Sequence, residues 1–169
     1  DLQASYEYIK DIENEYSSII PLAHSSGCVN AINLANNFKT IEKSIFLDPV
    51  DNSNLVNKFN KIQKDNLLYL KDLLIITAEK SYKWSLDPFT IPFIPAFRLN
   101  IKELLKLKSD LNIEYIESEE HGHCDILDPF WSDQMHLTIS KGVENREYKN
   151  LQIYHTWLAQ QIHNFIFRD

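Results

Sequence analysis

Hydrophobic positions along the chain alternate between two periods. Tyr6, Ile9, Ile12 and Tyr16 recur at helical spacing, and the short apolar run Ile19-Ile20-Pro21-Leu22-Ala23 follows. Val29, Ile32 and Leu34-Ala35 predict a second helix, and Ser44-Ile45-Phe46-Leu47 a second strand. Leu55, Val56, Phe59 and Ile62 form another helical face, after which Leu73-Leu74-Ile75-Ile76 reads as a fully buried strand. The segment 101–111 is helical in pattern, and Ile113-Glu114-Tyr115-Ile116 reads as a strand. Helical patterns around Trp131 to Ile139 and from Tyr148 to Phe167 close the chain. Apolar runs separated by helices are the signature of parallel strands covered on both faces. The expected fold class is therefore α/β, a three-layer sandwich around a mostly parallel sheet. One region departs from the alternation: residues 84–97 carry Pro88, Pro92 and Pro95 among aromatics, which forbids a regular helix or central strand and predicts an ordered loop.

Composition narrows the classes of function. The chain has 169 residues, 44% of them hydrophobic and 24% charged, which is enough apolar material for one packed domain over 1–169. The net charge is −7, and the basic residues form no run, which disfavours nucleic acid and anionic membrane surfaces as partners. No apolar run is long enough to predict a transmembrane segment. Two cysteines, Cys28 and Cys124, leave one bridge or two free thiols open. No Asn stands in an N-x-S/T sequon, which argues against a glycosylated secreted protein and favours the cytoplasm.

The sharpest chemical signal is Ala23-His24-Ser25-Ser26-Gly27, directly after an apolar strand and directly before a helix. A tight strand-to-helix turn of this kind exposes a serine hydroxyl at a helix N-terminus, where the Ser26 backbone N–H can donate to an oxyanion. Small residues at 23 and 27 are expected to let the backbones approach. Read plainly, the same pentapeptide is a turn or a helix cap. A serine nucleophile needs a base oriented by an acid. The base candidate is His123 in Glu120-His121-Gly122-His123-Cys124-Asp125, where Gly122 would permit a sharp turn. The acid candidate is Asp48, with Asp51 and Asp87 as rivals and turn chemistry as the plain alternative. His121 and His123 around a glycine also suit a surface loop or a weak metal site. No HxxxH or CxxC pair occurs, and no metal or cofactor is expected. His136, His155 and His163 fall in helical patterns as partly exposed or core-edge residues.

Taken together, AHSSG, then LDPVD, then GHCDILD resembles the chlorophyllase and lipase-like branch of the α/β-hydrolases over most of residues 18–131. In that branch a GHSxGG elbow precedes a strand ending in DPV, and a later GHxDxLD carries the histidine. The resemblance implies Ser25 as nucleophile, His123 as general base, Asp48 as orienting acid and an apolar carboxylic ester as substrate. Ala23 replaces the usual first Gly, Cys28 replaces a later one, and Pro21 lies inside the run expected to be a central strand. Trp84, Phe89 and Phe93 are candidates to line an apolar pocket, against the plainer reading that they fill core beneath a loop.

The elbow arrives early in the chain. The resemblance therefore implies the C-terminal half of the fold, lacking N-terminal strands that a separate chain or a cleaved segment would supply. Those strands would bring a second oxyanion donor, whose loss typically costs about 10²–10³ in rate. The competing expectation is a catalytically silent hydrolase-fold module that serves as a binding or structural partner.

Overall fold

In a computed structural model the described residues are 2–25, 27–51, 69–78, 97–98, 111–119, 121–123, 125–126 and 148–168. Helix α1 spans Leu2–Ile12, strand β1 Leu22–His24, helix α2 Gly27–Ala35 and strand β2 Lys43–Leu47. Strand β3 (Val50–Asp51) pairs antiparallel with β5 (Phe97–Arg98), two residues each. Strand β4 covers Asp72–Ala78, β6 covers Asn112–Ser118, and helix α3 runs from Tyr148 to Ile166. The helices expected over 55–62 and 131–139 lie outside the described residues, as do residues 101–110 of the helix expected over 101–111 and the proline-rich loop up to 96.

Four strands form an all-parallel sheet in the order β1-β2-β4-β6. The α/β class read from the hydrophobic pattern is therefore observed. β1 and β2 are in register with Leu22 opposite Ile45, Ala23 opposite Phe46 and His24 opposite Leu47. The chain divides into two compact units, residues 1–75 with 97–115, and residues 76–96 with 116–169.

The first unit holds a core in which Ile9 of α1 and Cys28, Ala31, Ile32, Leu34 and Ala35 of α2 join Phe46, Leu73 and Ile75. On β4 the alternate residues Leu73 and Ile75 belong to this core, as a period of two requires. Their neighbours Leu74 and Ile76 are equally buried, at 0% exposure, so β4 is covered on both faces. Each such side chain contributes roughly 1.5–3 kcal/mol of burial. β6 is mostly exposed or half-buried, with Ser118 buried at its end, as suits a strand at one end of the sheet order.

Two local expectations are corrected. Tyr16 is not on the face of α1: the helix ends at Ile12, the turn closes by Glu15 N–H to the Ile12 carbonyl at 2.9 Å, and Tyr16 is exposed. Pro21 does not interrupt a central strand. It stands one residue before β1, the first strand in the sheet order, and its carbonyl accepts from Ile45 N–H at 2.9 Å. The missing donor is thus spared where a proline is tolerated.

In the second unit α3 buries Leu151, Tyr154, Leu158 and Phe165, a stripe at spacings of three, four and seven. His155 is half-buried and His163 exposed. No helix among the described residues is long and apolar enough to cross a membrane.

Candidate active site

Ser25 follows the last residue of β1, and two residues later α2 begins. Its φ is +58°, in the left-handed region that L side chains avoid at a cost of about 1–2 kcal/mol. The turn is held from both sides: Ser25 N–H donates to the Leu47 carbonyl at 3.0 Å, and the Ser25 carbonyl accepts from Cys28 N–H at 3.2 Å. The first bond extends the β1–β2 ladder one residue past β1, which fixes where the strand must turn. Ser25 itself is half-buried.

Asp48 follows the last residue of β2. Because His24 is opposite Leu47, Ser25 and Asp48 leave adjacent parallel strands at the same level. Asp48 also has a positive φ, +39°, and is 1% exposed. Among the described residues these are the only two non-glycines with positive φ. Strain at two neighbouring strand ends persists only where surrounding structure over-determines it, and such positions cluster at functional sites.

Cys28 lies just inside the turn. Its side chain is wholly buried, and its Sγ donates to the Ala23 carbonyl at 3.4 Å. Burial pushes the thiol's pKa well up and the nearby Asp48 carboxylate pushes it further, against a lowering hydrogen bond with Leu47 backbone. Burial therefore favours the neutral thiol, and Cys28 is a free cysteine within the core of the first unit. A cysteine at 28 is thus accommodated within the core. Gly27 gives the opposite result. Among the described residues nothing lies within 4 Å of where a Cβ would sit, and its φ is not positive, so no crowding among them calls for a glycine there.

His123 lies in the second unit, in the turn after β6, and is 5% exposed. The turn is closed reciprocally. Asp125 N–H donates to the Gly122 carbonyl at 3.1 Å, and Gly122 N–H donates to Asp125 Oδ2 at 2.6 Å. Gly122 needs no left-handed conformation to make it. From α3, His155 Nε2 contacts the Asp125 carbonyl at 2.7 Å. A carbonyl oxygen only accepts, so Nε2 carries the proton. His121 bonds Ser118 Oγ through Nδ1 at 2.8 Å and stacks on Tyr154 with centroids 3.8 Å apart. Among the described residues no group of three His, Cys, Asp or Glu is placed to hold a metal ion.

The structure thus brings Ser25 and Asp48 to neighbouring strand ends in one unit and sets His123 in a tethered turn of the other. Ser26, Trp84, Phe89, Phe93 and the rival Asp87 lie outside the described residues, as does Cys124. Asp51, the other rival, ends β3. Sequence reasoning missed Asp125 and His155. Asp125 was legible as an acidic residue three positions after a turn glycine, half of a capping box. His155 is 30 residues further on, and no local pattern announces that contact.

No family model matches the chain, and neither a curated protein nor a solved structure does.

Proposed function

We propose that this chain carries the catalytic residues of a serine hydrolase acting on apolar carboxylic esters, in an α/β-hydrolase-like arrangement. Ser25 Oγ attacks the ester carbonyl carbon while His123 accepts its proton. Asp48 orients the imidazole and stabilises the imidazolium. The tetrahedral oxyanion is met by the Ser26 N–H at the start of the helix. As the intermediate collapses, the C–O bond breaks and the alcohol leaves with the proton held on His123. Water, deprotonated by the same imidazole, then attacks the acyl-enzyme and releases the carboxylic acid, restoring Ser25.

The observation that carries the reading is the left-handed φ of Ser25 in a turn from strand to helix, level with a buried Asp48 on the adjoining strand. A serine that merely caps a helix has no need of a strained backbone. The spacing of the three sequence motifs supports the assignment of His123, and the aromatics Trp84, Phe89 and Phe93 support an apolar acyl or alcohol group on sequence grounds.

A p-nitrophenyl acyl ester tests the scheme. Rapid mixing is expected to show a burst of p-nitrophenol stoichiometric with protein, absent from Ser25→Ala. A burst of equal size in Ser25→Ala would overturn the assignment of the nucleophile. Turnover lost on treatment with chelator would point instead to hydrolysis by a metal held at His121 and His123, the weak metal site that the two histidines around a glycine also suit.

A further inference from the structure

We infer that Asp125, pinned by His155, is the positioning residue that sets the His123 imidazole. This rests on the serine-hydrolase reading for its catalytic meaning. The turn bearing His123 is short, and both of its flanks converge on one residue. Asp125 uses its Oδ2 on Gly122 N–H, its own N–H on the Gly122 carbonyl, and its carbonyl on His155 Nε2. His123 lies between Gly122 and Asp125, so its backbone is bracketed by that pair of bonds. Asp125 is 2% exposed, which shields these bonds from competing water. His155 adds the external reference: α3 is a 19-residue helix anchored by Leu151, Tyr154 and Leu158, and its imidazole fixes where the turn sits on the unit. His121 is held separately, by Ser118 and by stacking on Tyr154.

The side-chain bond at 2.6 Å from a backbone N–H to a carboxylate is charge-assisted and stronger than a neutral pair. Removing the acceptor leaves a buried Gly122 N–H without its partner and frees the turn. Displacement of a general base by about 1 Å costs on the order of 10²-fold in rate.

The test uses Asp125→Ala, Asp125→Asn, His155→Leu and His155→Gln in the intact protein, with two readouts. The first is the rate of fluorophosphonate labelling per folded molecule. Asp125→Ala is expected to label roughly 10- to 100-fold more slowly, with Asp125→Asn restoring most of the rate because asparagine keeps an acceptor for Gly122 N–H. His155→Leu is expected to slow labelling by a smaller factor, with His155→Gln, which retains a donor, closer to the parent. The second readout is the ¹⁵N signals of the His123 ring, which report its environment without any reaction. They are expected to shift in Asp125→Ala and return toward the parent position in Asp125→Asn. Unchanged His123 ring signals in Asp125→Ala overturn the inference, as does an Asn variant no better than Ala in both readouts. If the parent protein does not label at all, the hydrolase reading fails, and the ring signals alone still decide whether Asp125 sets His123.

Discussion

The two turns that carry the candidate residues, one in each compact unit, are positioned by different physics. At the elbow the backbone does the placing: Ser25 is fixed by one ladder bond to Leu47 and one helical-turn bond to Cys28, at a strained φ of +58°. At the His123 turn the φ of the glycine is ordinary, and side chains join one backbone bond in the placing, through Asp125 to Gly122 and His155 to Asp125. Backbone placement is rigid and costs strain. Side-chain placement is free of strain but vulnerable to single substitutions away from the chemistry. The contrast means that substitutions near Ser25 should separate activity from stability, whereas those around His123 should move the imidazole.

The largest expected effect is at the acid. Asp48→Asn should lower the rate of ester cleavage by about 10⁴-fold, the scale seen when a triad acid loses its charge. Rates measured for Asp48→Asn and Asp87→Asn side by side check the assignment. Near-normal activity in the first together with loss in the second would move the acid to Asp87.

Next comes the core that holds the strand ends in register. Ile75→Ala, in a side chain with 0% exposure, is expected to destabilise by about 2–5 kcal/mol in denaturant titration. Activity per folded molecule should survive, because the strand's bonds to its neighbours are backbone bonds. Then the strain itself can be weighed. Ser25→Gly and Ser25→Ala should both be inactive, but the glycine variant is expected to be more stable by about 1 kcal/mol, since only glycine takes a positive φ without cost. Equal stabilities would mean that the turn stores no strain.

A chemical probe sharpens the description of Cys28. Its buried, neutral thiol should resist iodoacetamide in the native protein and react once denaturant unfolds the first unit. Rapid native alkylation, mapped to Cys28 by peptide mass, would contradict its burial in the core of the first unit. The smallest effect is predicted at Lys71, whose ammonium meets Glu42 at 2.6 Å with both side chains largely solvated. Lys71→Ala should change stability by under about 1 kcal/mol, and less in high salt.

How much of this was legible in the sequence follows the same division. The run Leu73 to Ile76 identified β4 outright, because a strand buried on both faces leaves an uninterrupted apolar stretch. The strand-to-helix turn was equally legible, because strand, turn and helix are contiguous and Ser25 sits where the period changes from two to 3.6. Tyr16 misled because periodicity alone does not mark a helix end, and the chain there turns by a hydrogen bond that any residue can make. Gly27 differs: the steric reason expected for it finds no neighbour within 4 Å of a Cβ among the described residues. The β3–β5 pair, two residues a side, is too short to leave a period at all. The tether of His123 was out of reach for a further reason. Its partner on α3 is distant along the chain, and a histidine on a helix looks the same in sequence whether it faces solvent or holds a carbonyl.

The central claim is that Ser25 is an activated nucleophile held ready by its turn. Fluorophosphonate labelling of the full-length protein, with the adduct mapped by peptide mass, tests it most directly. The account predicts one adduct per molecule, on Ser25, abolished by Ser25→Ala and sharply slowed by His123→Ala. An unlabelled protein, or an adduct on any other residue, would contradict it and favour a silent module of the same fold class.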